Sequence, residues 1–152
     1  MCERTARNLM TERLDLGSLR SAITSLEEGI AVVGDTAWFA AQTRSVQNTL
    51  IAGVIQNFEF VYELSVKTIK RQIEAEAATP GEVDGYGFRD LLRVAAEKGL
   101  IADVEAWFAY RQMRGITPHT YDQVKARQVY GGTLAFVGDA RALLAVLQGR
   151  NA

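Results

Sequence analysis

The segment Arg114-Gly115-Ile116-Thr117-Pro118-His119-Thr120-Tyr121 brings a permanent cation, the single histidine of the chain and a phenol hydroxyl within eight residues. An arginine presents five donors in a rigid fork that matches a phosphate. Histidine is the side chain that most readily gives and takes a proton near neutral pH. Together they form the residue set of phosphodiester chemistry, with Arg114 holding the phosphate, His119 moving the proton and Tyr121 adding a hydroxyl. The same residues also fit a plain structural role, in which the histidine is a satisfied polar group beside a helix start.

Two helices must position this segment. Pro118 cannot occupy a helix interior without losing a hydrogen bond. Gly115 is a good residue just past a helix end. Asp103 is expected to cap a helix that ends near Arg114, and Asp122 to cap one over about 123–147 that Gly131-Gly132 breaks or kinks. Arg114 then closes one helix and His119 precedes the next, so both project from one corner, where the incoming helix N-terminus favours an anion. Upstream, Leu16, Leu19, Ile23, Leu26 and Ile30 fall at helical spacing after Asp15, predicting a helix to about residue 33 and a short connector over 35–42. Residues 79–87 read as a loop, and 88–98 as a short helix stopped by Gly99. No segment reads as a strand.

Between these lies a long helix, about residues 45–77, free of proline. At ~100° per residue, Gln56, Glu59, Glu63, Lys67 and Lys70 fall within an arc of about 80°, opposite an apolar face that includes Val54, Phe58, Val61 and Ile69. Glu63 and Lys67 make a favourable i,i+4 pair, whereas Glu59 and Glu63 repel at that spacing. Two stacked carboxylates call for an outside cation, either Arg114 or an arginine of another chain; the alternative is a solvated face. A metal is the weaker reading, because no nearby histidine or aspartate completes a ligand set.

Composition narrows the classes. The chain has 152 residues, 48% hydrophobic and 23% charged, with a formal net charge of -1. That is one domain with a real core and no global basic footprint for nucleic acid. A local patch exists at 111–127, where Arg111, Arg114, Lys125 and Arg127 face Asp122 alone. One cysteine, Cys2, excludes an internal disulfide and a multi-cysteine zinc site. With no apolar run of membrane length and no signal-peptide core, the expected location is the cytoplasm. The expected organisation is a flexible arm over 1–13, one helical domain over 14–148 and a tail over 149–152. The reading calls for no cofactor and no metal.

Two segments together resemble a known family. Residues 54–70 (VIQNFEFVYELSVKTIK) are similar to the long-helix signature of the nucleotidyltransferase substrate-binding proteins, the HepT-like members of the HEPN superfamily. Residues 114–121 are similar to that family's Arg-x4-His-x-Tyr motif. The resemblance implies an all-α, antiparallel up-and-down bundle of four main helices plus a short one, assembled as a homodimer. It implies a partner, a minimal nucleotidyltransferase of the MntA-like antitoxin type, and RNA as substrate. In active members the paired motifs form a metal-independent ribonuclease site at the dimer interface. Carried over, Arg114 holds the scissile phosphate, His119 transfers protons as the ribose 2′-hydroxyl attacks, and Tyr121 is the residue the partner modifies with AMP. Two positions depart from the pattern. Gly115 stands where a polar residue, most often asparagine, follows the arginine, and Ile51-Ala52 stand where an Arg-Asp pair is common.

Three classes of function follow: a ribonuclease toxin silenced by AMP transfer, a non-catalytic substrate-binding subunit of a two-component nucleotidyltransferase, and a helical dimer with only an interaction role. The apolar arc of the long helix exceeds what one short neighbour covers. Sedimentation is therefore expected to report a dimer at micromolar concentration and circular dichroism to report helix without strand; a monomer would contradict the reading.

Overall fold

The structure is a computed structural model, and residues 13–152 are described; the expected N-terminal arm, apart from Arg13, lies outside them. The helices are α1 (Gly17–Gly34), α2 (Thr36–Ala40), α3 (Arg44–Glu76), α4 (Phe88–Glu97), α5 (Val104–Ile116) and α6 (Gln123–Arg150), with short 3₁₀ turns at Pro80–Gly85 and Thr117–His119. No strand occurs among the described residues.

Caps begin most of the helices. Asp35 accepts from Trp38 N, Thr43 from Val46 N, Asp103 from Glu105 N and Ala106 N, and Asp122 from Val124 N and Lys125 N. Asp15 departs from its expected place as cap of α1. Leu16 holds the cap position without a side-chain bond, and Asp15 Oδ1 accepts from Gly17 N at 2.9 Å. Gly99 takes φ +76°, the left-handed turn that lets Leu100 N reach back to Ala95 O and close α4.

The chain alternates direction along its four long helices. Asn57 of α3 donates to the Ser25 carbonyl of α1, which runs the other way. α5 runs back against α6, with Met113 seated at Gly132 and Tyr110 donating to Asp139. α3 and α6 are parallel, paired at their C-terminal ends by Glu76 and Arg150 at 2.9 Å. The result is the up-down-up-down bundle, with α2 and α4 as short additions.

Three boundaries differ from the sequence reading. α5 continues two residues past Arg114, so Gly115 lies inside the helix and not beyond it. α6 runs unbroken through Gly131-Gly132. Gly132 makes room instead: a Cβ there would fall 2.5 Å from Sδ and Cε of Met113. The expected tail is the last turn of α6, held because Arg150 pairs with Glu76 and Asn151 binds Leu14 N at 3.0 Å and Gln72 at 2.8 Å.

The core centres on Phe136. Its ring meets Phe58 of α3 at 4.9 Å and 87°, and Trp107 of α5 at 5.7 Å and 86°, both edge-on. All three side chains are buried. By length and composition α6 is apolar enough to cross a membrane, which corrects the expectation that no stretch is. Its Val129, Phe136, Leu143, Leu144 and Leu147 are packed inside the bundle. Phe136→Ala is expected to cost about 3–5 kcal/mol in denaturant unfolding; a loss below about 1 kcal/mol would contradict this placement of the core.

Candidate functional site

The outside cation demanded by Glu59 and Glu63 is Arg114 of the same chain. Its Nε and Nη2 donate to Glu63 Oε1 at 3.1 and 2.8 Å, and Nη2 lies 3.6 Å from Glu59 Oε2. Both carboxylates stand one turn apart on α3, and Arg114 reaches them from the last turn of α5. The i,i+4 pairing expected between Glu63 and Lys67 is not formed, because the Arg114 fork takes Glu63. Gln56 and Lys67 extend the stripe to either side as exposed residues.

A third contact was not anticipated. Arg114 Nη1 donates to Thr117 Oγ1 at 2.8 Å, and the same hydroxyl donates to the Arg114 carbonyl at 2.8 Å. Thr117 is 5% exposed. The signal was available in the spacing: a threonine three residues after an arginine at a helix end can satisfy one of the last carbonyls. Hydrogen bonding to Glu63 pushes the Arg114 pKa up against the opposing effect of burial, and the charges of Glu59 and Glu63 add to it. Tyr62 lies buried beside this group, and burial pushes its pKa up although Arg111 and Arg114 pull it down. Of the five Arg114 N–H groups, one on Nη1 and one on Nη2 remain beyond these hydrogen bonds.

From Arg114 the chain winds on without an extended segment. Thr120 returns to Thr117 O through its amide at 3.3 Å and its hydroxyl at 2.8 Å, and Asp122 N returns to His119 O at 3.1 Å. This 3₁₀ corner is what Pro118 produces: it ends α5 by the missing N–H, yet fits the first positions of a new turn. His119 is exposed on the corner. Tyr121 is 81% exposed, its ring centroid 6.3 Å from that of His119 and nearly perpendicular to it. The structure thus joins Arg114 with Glu59, Glu63 and Thr117, and sets His119 and Tyr121 on the adjoining turn in solvent.

A cation held in a fork on one helix end, followed by an exposed imidazole and phenol on an alternating helical bundle, defines a class before it defines a protein. The chain belongs to the family described as nucleotidyltransferase substrate binding protein like, whose sequence model matches residues 14–149. It is 48% identical over 143 residues to a protein of Haemophilus influenzae named probable ribonuclease HepT, covering 94% of this chain and 98% of that one. A solved Haemophilus influenzae structure, described as the fold of a substrate binding domain of a nucleotidyltransferase, matches with a TM-score of 0.85 and 48% identity over 88% of this chain and 99% of that chain.

The Arg114 contacts sit near the surface, so their role is placement more than stability. A double-mutant cycle between Arg114→Ala and Glu63→Gln is expected to give a coupling of about 0.2–1 kcal/mol in urea unfolding. A coupling of 3 kcal/mol or more would mark the pair as a buried structural element instead.

Proposed function

We propose that the chain is a metal-independent endoribonuclease that works as a homodimer in the cytoplasm and is silenced by a partner nucleotidyltransferase acting on Tyr121. The observation that carries this reading is Arg114, a permanent cation fixed on three partners with N–H groups to spare, followed five residues later by an exposed histidine on the adjoining turn. Its remaining donors bind a phosphodiester oxygen. His119 takes the proton of the ribose 2′-hydroxyl as that oxygen attacks phosphorus. The bond from phosphorus to the 5′-oxygen breaks, and the leaving alkoxide takes a proton from the second chain's His119. The products are a 2′,3′-cyclic phosphate and a 5′-hydroxyl. In the dimer the two motifs face one another and share a single cleft. The name of the 48% identical relative supports the reaction class.

Silencing follows from exposure. The partner transfers an adenylyl group from ATP to Tyr121 Oη, releasing pyrophosphate and leaving a phosphodiester anion beside the Arg114 corner. That anion pairs with the guanidinium and occupies the place of the RNA backbone, while the adenosine adds bulk. The other tyrosines near the site and along α6 are less available: Tyr62 is buried and Tyr130 half-buried.

One observation favours a second reading, a non-catalytic substrate-binding subunit. Gly115 is exposed inside α5 and a Cβ there would meet nothing within 4 Å. The fold therefore does not require glycine, although glycine weakens a helix by about 1 kcal/mol relative to alanine. A polar neighbour is absent beside Arg114 without a packing reason.

In buffer containing EDTA, His119→Ala is expected to abolish cleavage of single-stranded RNA with the melting temperature unchanged, since an exposed corner residue carries little packing. Gly115→Asn is expected to speed cleavage by roughly tenfold, the value of one added transition-state hydrogen bond of about 1.4 kcal/mol. A parent protein that leaves RNA intact, with Gly115→Asn equally inert, favours the binding subunit. With the partner, ATP and magnesium, the parent is expected to gain the mass of one or more AMP units and Tyr121→Phe none. Label on Tyr62 or Tyr130, or undiminished label on Tyr121→Phe, would refute the silencing mechanism.

A further inference from the structure

A second cationic feature lies away from Arg114, at the end of the bundle where α3 and α6 both begin. Arg44 and Asn48 on the first turns of α3, and Gln123, Val124 and Arg127 on the first turns of α6, line an open cleft of about 380 Å³. No carboxylate lines it. Arg44 and Arg127 form no ion pair among the described residues, whereas Arg114, Arg141 and Arg150 are each bound to glutamates. The Arg127 guanidinium carbon lies 5.8 Å from the Phe39 ring centroid, so the α2 ring steadies the charged head while the residue as a whole stays exposed. The amides of Asn48 and Gln123 supply further neutral donors. The nearest acid on the adjoining turn, Asp122, is committed to capping α6 through Val124 N and Lys125 N.

The cationic patch seen in the sequence over 111–127 therefore splits in space. Arg111 lies over Phe88 at 3.9 Å and Arg114 is held by α3, but Arg127 lines the same cleft as Arg44, a residue 83 positions away in the chain (127 − 44). Two parallel helix starts add their positive ends to the same cleft. From Arg44 to Glu59, where Arg114 sits, α3 rises about 22 Å, a span that several nucleotides of a single strand can cover.

We propose that the Arg44/Arg127 cleft is a phosphate subsite that holds the RNA backbone at a distance from the scissile bond and aligns the strand along the Arg114–His119 corner. The inference rests on the reading of the chain as an RNA-binding protein and assigns that reading a second contact. Two guanidiniums without carboxylate partners, in a cleft also lined by two side-chain amides, recognise successive phosphodiester oxygens and carry no base preference. They also explain how a chain of net charge -1 gathers RNA: the positive charge is local and free where the strand enters.

The test uses the full chain with His119→Ala, so that RNA binds without being cut, and a fluorescent single-stranded RNA of a dozen nucleotides. Adding Arg44→Glu and Arg127→Glu is expected to raise Kd more than about tenfold and to reduce the slope of log K against log salt by about 1.4, two phosphates at about 0.7 each for a single strand. Arg44→Gln with Arg127→Gln should give the same loss of slope, and Arg20→Glu, at an exposed position on α1, no loss. Kd and slope unchanged in the double variant would overturn the proposal. So would a loss that the glutamine variants do not reproduce, or one accompanied by altered sedimentation or melting. ATP and pyrophosphate serve as competitors: if ATP binds through Arg44 and Arg127 while RNA does not, the cleft serves a free nucleotide and the proposal falls. Loss of RNA binding in the arginine variants beside a parent that never cleaves would uphold the cleft and refute the nuclease. Cleavage that depends on His119 but binding indifferent to Arg44 and Arg127 would do the reverse.

Discussion

Two carboxylates one helical turn apart on α3 are a constraint that the site must answer. Glu59 and Glu63 stand one turn apart on α3 and repel each other. A cation from another element between them relieves that repulsion. Arg114 supplies it from the last turn of α5, which packs over the middle of α3. Everything chemically interesting then follows along the chain: Thr117 locks the guanidinium from the other side, and the 3₁₀ turn carries His119 and Tyr121 out into solvent.

The ion contacts alone are too weak to hold this geometry, since exposed pairs are screened by water. The aromatic cluster around Phe136 does that work. Phe58 from α3, Trp107 and Tyr110 from α5 and Phe136 from α6 meet in one buried group, which sets the distance between α3 and α5 at which the Arg114 side chain can span the gap. Met113, one residue before Arg114, sits in the notch left by Gly132 and brings α5 close to α6 at the same level. Packing determines where the arginine stands, and the carboxylates determine which way its fork faces.

Much of this was legible in the sequence, for definite physical reasons. The helices follow from periodicity and caps, because Asp103 and Asp122 are short acceptors ahead of apolar runs, while their up-and-down order was what the family resemblance implied. The need for a cation at Glu59 and Glu63 was legible as like-charge repulsion, but whether Arg114, an arginine of another chain or solvent would answer it was not. Gly115 and Gly132 were misread because a glycine in a sequence signals a break, while its use as a packing notch, or as a residue with no steric role, depends on which element passes opposite. The bond from Thr117 to the Arg114 carbonyl was legible in the spacing, but its second bond, accepted from the Arg114 fork, exists only once the corner closes. The Arg44/Arg127 cleft escaped for the plainest reason: its two cations are distant in the chain and meet only when α3 and α6 start from the same end.

The central claim is that Arg114 acts through its fork, with Nε and Nη2 turned to the glutamates, Nη1 to Thr117, and the N–H groups left beyond these hydrogen bonds offered to a phosphate. Arg114→Lys keeps the charge and removes the fork. The direct measurement is the rate of RNA cleavage by this variant in EDTA, beside its melting temperature. The expected result is a melting temperature within a few degrees of the parent and a cleavage rate lower by about a hundredfold, the loss of two oriented hydrogen bonds at about 1.4 kcal/mol each. Cleavage by Arg114→Lys at the parent rate would contradict the account, because charge alone would then suffice.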